Sequence, residues 1–373
     1  MTTSARAGGT MRRVPLLVIG MLSMACGVWL GLVRLGWNLP LLRPDQLIAH
    51  GPLMVGGFLG TLIGLERAVA FGRAWGYAAP ALTAAGALVL DVGSTTTSLG
   101  PWLITAGSLV LVAIFGIMWR RQPSLFLTTM ALATIAWVVG NIQWLGGAPM
   151  FRVVLWWLGF LVLTIVGERL ELNRVLRPTV TVRATFVAAL ALTLTGITVS
   201  AWWPAAGVRV LGVGLAAFTW WLVRYDIARR TVRQLGLTRF MAVCLLGGYM
   251  WLGLGGTIAV TTGAATSGVL YDAMLHAVFL GFVMSMVFAH APVIFPAVLG
   301  VAIRYRPAFY LHVAVLHVSL VLRIVGDAVD SLGGWRAWGG LLNAVALLLF
   351  VVNTAGSIAR NRTVPTSGLD TSS

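Results

Sequence analysis

Residues 268–292, GVLYDAMLHAVFLGFVMSMVFAHAP, are apolar almost throughout and include one formally charged residue, Asp272. At a rise of about 1.5 Å per residue, a helix of this length crosses the hydrocarbon core of a bilayer, which is about 30 Å thick. The run is continuous, whereas the strands of a membrane barrel alternate apolar and polar residues. The stretch therefore predicts a membrane-spanning helix.

The rest of the 373-residue chain repeats this pattern. Hydrophobic residues make up 59% of it and charged residues 10%, with a mean hydropathy of +0.92, whereas an ordinary soluble domain is about 25% charged. This composition excludes a soluble enzyme, a nucleic-acid-binding protein and a disordered chain as descriptions of the whole. We predict twelve spans, at residues 15–36, 47–66, 75–95, 98–119, 124–145, 150–170, 180–202, 206–226, 239–261, 268–292, 307–328 and 336–357.

The predicted fold is therefore all-α, a polytopic membrane helical bundle of about twelve transmembrane helices over residues 15–357. A cytoplasmic N-terminal segment (1–14) precedes it, and a disordered cytoplasmic tail (358–373) follows. All 26 basic residues are arginines, and alternation of the spans puts all but six of them on one side, which is the positive-inside pattern. We expect a bacterial inner-membrane protein with both termini cytoplasmic, whose partner is the lipid bilayer and not nucleic acid.

Every histidine of the chain lies in a predicted span. Ionisable groups at membrane depth are costly and usually functional, and imidazole is the commonest metal ligand. All five are therefore candidate metal ligands: His50, His276, His290, His312 and His317. The two cysteines also lie in spans and form no CxxC or CxxCH motif, so we predict neither a disulfide nor covalently attached haem.

Two of these histidines are predicted to lie at the same depth. His50 lies about four residues into the second span and His276 about eight residues into the tenth, so both should lie about 7–12 Å above the midplane. Two histidines at equal depth on different helices can ligate one haem iron from opposite faces. Rings far apart, or rings each held by an adjacent backbone carbonyl, would count against this hypothesis. Asp272, one turn before His276, either orients that ring or is a charge at a helix N-terminus.

The other three histidines suggest a second site. His290 follows His276 by fourteen residues, on nearly the same helix face and about 21 Å lower, so it could form a haem or copper site with His312 or His317. The last two are about 140° apart on one helix and cannot both face one partner. We also expect the tenth helix to break at Pro292 and Pro296.

Arg323 and Asp327 allow two interpretations. At this depth Arg323 could bind haem propionates bidentately, or the pair could be a simple i, i+4 salt bridge.

Glycines and a short sequence echo concern the second and sixth spans. Gly56, Gly60 and Gly64 have the small-xxx-small spacing of close helix packing. The second span ends Gly64-Leu65-Glu66-Arg67 and the sixth ends Gly167-Glu168-Arg169. A bundle of three groups of four helices would put spans 2, 6 and 10 in equivalent positions, although chance also explains so short an echo.

Two segments resemble the NnrS family. They are His50-Gly-Pro-Leu-Met54-Val-Gly-Gly57-Phe58 and His276-Ala277 with Gly281 and Met286. The resemblance implies a twelve-helix haem- and copper-containing membrane protein tied to nitric oxide stress, with a layout similar to subunit I of haem-copper oxidases. Pro52 and Leu53 stand where a second His and a Glu are expected, and the sixth span has no histidine, so a full haem–copper centre is not implied.

From the resemblance we expect a haem b protein of the response to nitric oxide, or of related redox chemistry, with His50 and His276 as ligands; Arg323 is a candidate for the cofactor site from its depth alone. A haem-dependent oxidoreductase would act on a small gaseous or small-molecule substrate and take electrons from a donor protein. Two alternatives stay open. One is a transporter for copper or a small solute, in which Met54 would add a soft ligand. The other is a structural protein with hydrogen-bonded histidines.

Overall fold

Twelve membrane-length helices make up the protein. The computed structural model describes residues 3–41, 43–92, 98–263, 266–329 and 333–361, and within these ranges every regular element is helical. Twelve helices are long and apolar enough to cross a bilayer, which confirms the predicted polytopic bundle. They are α1 (Arg13–Arg34), α2 (Pro44–Phe71), α3 (Ala74–Val92), α4 (Leu99–Arg121), α5 (Leu125–Leu145), α6 (Met150–Leu176), α7 (Val180–Val199), α8 (Pro204–Tyr225), α9 (Gly236–Thr262), α10 (Val269–Leu299), α11 (Phe309–Ala328) and α12 (Gly334–Ile358).

The helices extend beyond the predicted spans at both ends of the chain. The first helix begins at Thr3 and the last continues to Asn361. Residues 358–361 of the predicted tail are therefore helical, and 362–373 lie outside the described residues. Because alternate ends of the spans face the same way, one end of the bundle collects most of the arginines. We call the end that carries Arg67, Arg121 and Arg169 the arginine-rich end, and the opposite end, near His50 and His276, the histidine end.

Helices α2, α5, α6 and α10 are the most buried of the twelve. Within the 18 most apolar consecutive residues of each helix, 72% are buried in α6 and α10 and 61% in α2 and α5, against 28% in α1. A helix that is apolar all round is expected at the centre of a bundle. Since α2 and α10 carry His50 and His276, the interior position of these helices brings both histidines into the bundle.

Glycines let the interior helices pack closely, as their spacing predicts. A Cβ on Gly60 would lie 2.6 Å from the ring of Trp137, which is fully buried and stacks on Phe160 at 4.5 Å. A Cβ on Gly64 would lie 3.3 Å from the backbone of Pro80 on α3. These glycines are therefore packing residues.

Gly60→Ala is expected to lower the free energy of unfolding by about 1–3 kcal/mol, because the stacked Trp137 cannot move away from the added methyl group. The matched control is Gly116→Ala on α4, where a Cβ meets nothing within 4 Å. That change should be neutral or slightly stabilising, since alanine favours helices. The thermal unfolding midpoint in detergent measures both, and equal midpoints would contradict the packing role of Gly60.

The predicted break of α10 at its prolines is wrong. The helix continues through Pro292 and Pro296 to Leu299 and ends at Gly300, whose φ of 67° closes the last turn. Membrane helices tolerate internal proline where neighbouring groups satisfy the freed carbonyls. Near this end, Arg13 of α1 donates a hydrogen bond to the carbonyl of Val298 at 3.1 Å. This bond satisfies one of the last carbonyls of α10 and fixes the end of the helix against α1, whereas the carbonyls freed by the two prolines are those of Phe288 and Pro292.

Candidate functional site

The rings of His50 and His276 lie side by side near the histidine end. Their centroids are 6.4 Å apart and their planes differ by 25°. The two helices that carry them share an unusual feature, because each contains an eight-residue π-helical segment, Leu53–Gly60 in α2 and Ala277–Met284 in α10. π-Helical turns are rare and often mark functional sites. His276 directly precedes its segment, and His50 lies three residues before the other one.

Both rings are oriented through Nδ1. His50 donates from Nδ1 to the carbonyl of Gly27 on α1 at 2.7 Å, and His276 donates to the carbonyl of Asp272 at 2.8 Å. Because a carbonyl only accepts, Nδ1 carries the proton in each neutral ring and Nε2 keeps its lone pair. Each ring is thus held by a backbone carbonyl, the arrangement that counts against the haem hypothesis, and a purely structural histidine would make the same bond. In His276 the second nitrogen is engaged as well, because Arg323 Nη2 lies 3.3 Å from Nε2.

Two glycines of α1 allow His50 and Met54 to pack closely against this helix. A Cβ on Gly31 would lie 3.0 Å from Cε1 of His50, and a Cβ on Gly27 would lie 2.8 Å from the sulfur of Met54. Neither glycine is among the site residues predicted from the sequence. Their small-xxx-small spacing is the signal that could have indicated close approach of α1 to another helix.

A charged network surrounds His276. Arg323 of α11 binds the carboxylate of Asp272 through Nη2 at 2.8 Å and Nε at 3.0 Å, and Nη2 also lies 3.3 Å from Nε2 of His276. Asp272 Oδ1 is 3.3 Å from Nδ1 of the same ring. Asp327 forms its ion pair with Arg336 of α12 at 2.9 Å. The i, i+4 salt bridge between Arg323 and Asp327 is therefore the wrong interpretation, since each residue pairs with a different helix.

The other histidines occupy three separate environments. His290 donates from Nδ1 to the carbonyl of Met286 at 2.8 Å, and its Nε2 is buried without a partner. His312 packs against Phe288, with ring centroids 4.7 Å apart, and His317 accepts a hydrogen bond from Trp251 at 2.7 Å. Within the described ranges no group of three or more His, Cys, Asp or Glu side chains is arranged to hold a metal ion.

The sequence echo of α2 and α6 is a real contact. Arg67 forms ion pairs with Glu66, at 3.1 Å, and with Glu168. Both carboxylates line a cleft between α2, α6 and α10, together with His290. The two glutamates, which occupy equivalent positions in the sequence echo, therefore line the same interior surface. This surface is at the end of the bundle opposite the His50–His276 pair.

The spacing of His50 and His276 can be compared with that of two imidazoles bound to one metal ion. Metal–imidazole bonds of about 2 Å, with about 1.1 Å from each nitrogen to its ring centroid, separate two opposed centroids by about 6 Å. The observed centroids are 6.4 Å apart in stacked rings, so the spacing is near this value, whereas ligation also requires the two Nε2 atoms to face each other. Arg323, whose side chain is 7% exposed, adds a guanidinium suited to carboxylates. The residues here that could hold a haem are His50, His276 and Arg323, although Arg323 already binds Asp272 through two nitrogens.

Comparison with known proteins identifies the family of the chain. No curated protein and no solved structure matches it. A family model described as a domain of unknown function, DUF8744, matches residues 13–359, which include all twelve membrane-length helices. The chain therefore belongs to the DUF8744 family.

Proposed function

We propose that this protein is an NnrS-like, haem b-binding membrane protein that acts in the response to nitric oxide or in related redox chemistry. The observation that carries the proposal is the proximity of His50 and His276, whose ring centroids lie 6.4 Å apart. The NnrS-like motifs around these histidines support it.

The residues of the site have distinct roles in this proposal. The carbonyls of Gly27 and Asp272 fix the tautomer in which Nε2 carries the lone pair, and Arg323 would have to release Nε2 of His276 before that ring could ligate. Arg323 supplies donors for a propionate, and the Asp272 carboxylate holds it beside His276. Bound haem supplies electron transfer, or gas binding where one axial position opens. The protein contributes orientation, burial and charge.

The distribution of arginines supports the proposed location. Most of them lie at the arginine-rich end, so the positive-inside rule puts this end and both termini in the cytoplasm of a bacterial cell. The histidine pair would then lie toward the outer face of the inner membrane. A small gaseous substrate could reach it through the bilayer, and a donor protein would supply electrons if the protein is an oxidoreductase.

The experiment that tests the proposal is the cofactor content of the full chain, purified in a mild detergent from cells supplied with haem precursors and copper. Reduced-minus-oxidised absorbance is expected to show a b-type haem bound to most of the protein. Colourless protein with bound copper would overturn the proposal in favour of a copper transporter. Protein with neither cofactor would also overturn it, in favour of a structural role.

A further inference from the structure

Arginines converge on a cavity at the arginine-rich end, far from the histidine pair. The cavity has a volume of about 700 Å³ and lies between the α6–α7 connection and the α8–α9 connection. Five arginines line it: Arg177, Arg224, Arg229, Arg230 and Arg233. All five are exposed. The positive-inside rule accounts for arginines at this end, and their common position around one cavity makes their charges available to a single anion.

The floor of the cavity is rigid. Asp226 is the one carboxylate among the residues that the structure describes there, and Arg169 binds it through two hydrogen bonds of 2.8 Å. Asp226 also accepts a hydrogen bond from the backbone of Ala228, and Asn173 accepts one from the backbone of Ile227. Asp226 is therefore paired with the buried Arg169. The positive charges of the five arginines that line the cavity are not neutralised by it.

Arg177 has a strained backbone at the centre of this surface. Its φ of 48° is the one positive φ of a non-glycine residue in the described part of the chain. Such conformations are costly for residues with a side chain and are found where function needs them. Arg177 also lines a second, adjoining cavity, together with Arg174 and Arg183. The strained turn thus presents Arg177 between two arginine-lined cavities.

We propose that this cavity binds a phosphate group, carried by an anionic phospholipid headgroup or by free phosphate. Guanidinium groups bind phosphate bidentately and more specifically than ammonium groups do. The cavity lies at the end of the membrane-spanning helices, at the level of lipid headgroups. Its wall includes Val182 and Tyr225, which offer apolar surface to the glycerol and first acyl carbons of a lipid. Basic pockets at this level of other membrane proteins bind anionic headgroups.

The test compares three forms of the full-length protein in neutral detergent: the wild type, Arg177→Gln/Arg230→Gln, and the control Arg120→Gln/Arg121→Gln. The control removes two exposed arginines from the same end of the bundle, outside both cavities. The probes are phosphatidylglycerol, phosphatidylcholine and inorganic phosphate. The readouts are the thermal unfolding midpoint and lipid retained in native mass spectrometry.

Phosphatidylglycerol is expected to raise the midpoint of the wild type and the control above the value in phosphatidylcholine, and this difference should disappear in the cavity variant. The same pattern with inorganic phosphate would support the site with free phosphate as its ligand. An equal loss in the control, or no difference for the wild type with either anion, would overturn the proposal. Arg230→Gln/Arg233→Gln leaves the strained Arg177 turn intact and replaces the first variant if that one does not fold.

Discussion

Replacing His50 or His276 with alanine is expected to remove haem from the purified protein almost completely. Each ring would supply one of the two axial bonds, and the Nδ1 bonds to Gly27 and Asp272 hold both rings in the ligating tautomer. A haem that has lost one imidazole keeps only the opposite ligand and peripheral contacts such as Arg323. The ratio of haem absorbance to protein, measured after purification, reports the loss directly.

Two controls separate ligation from a structural role. His317→Ala removes a histidine of similar, partial exposure whose hydrogen-bond partner is Trp251, and it should leave the haem content unchanged. Imidazole added to His50→Ala should restore part of the haem spectrum, which a merely structural histidine would not permit. Haem content that stays at the wild-type level in both His50→Ala and His276→Ala would refute the assignment of ligands.

The sequence predicted the fold well because a bilayer imposes a simple length rule. Every span of at least about 20 apolar residues forms a helix, and the twelve predicted spans correspond to α1–α12. The features that were not predicted depend on how local backbone hydrogen bonds are formed. Pro292 and Pro296 do not end α10, and the π-helical segments Leu53–Gly60 and Ala277–Met284 have no periodicity that a sequence would reveal.

The site was predictable where depth alone determines it. Equal depth on α2 and α10 was enough to pair His50 with His276, because both helices are interior. The partners of Arg323 were not predictable, since the sequence offered the nearby Asp327 while the structure joins Arg323 to Asp272 on another helix. Pairing between helices depends on which faces meet, and spacing within one helix carries no information on that.

Replacing Arg169 with alanine is expected to lower the free energy of unfolding by about 3–5 kcal/mol, because it leaves the Asp226 carboxylate buried without its partner. The two side chains are only 3% and 0% exposed and are joined by two 2.8 Å hydrogen bonds. Neither group can turn to water without displacing the connection between α8 and α9. The pair therefore holds the α8–α9 connection against the end of α6.

A change of the same charge nearby provides the control for this ion pair. Arg183→Ala removes an exposed arginine at the same end and should alter stability by no more than about 0.5 kcal/mol. Arg169→Met/Asp226→Asn removes both charges yet keeps an oxygen for the Ala228 backbone, so it should be more stable than Arg169→Ala, since no unpaired charge remains. Denaturant unfolding in mixed micelles ranks the three variants. If the double variant were the least stable of the three, the attraction between Arg169 and Asp226 would itself stabilise the protein. The explanation that Arg169→Ala is destabilising because it leaves a buried, unpaired charge would then be wrong.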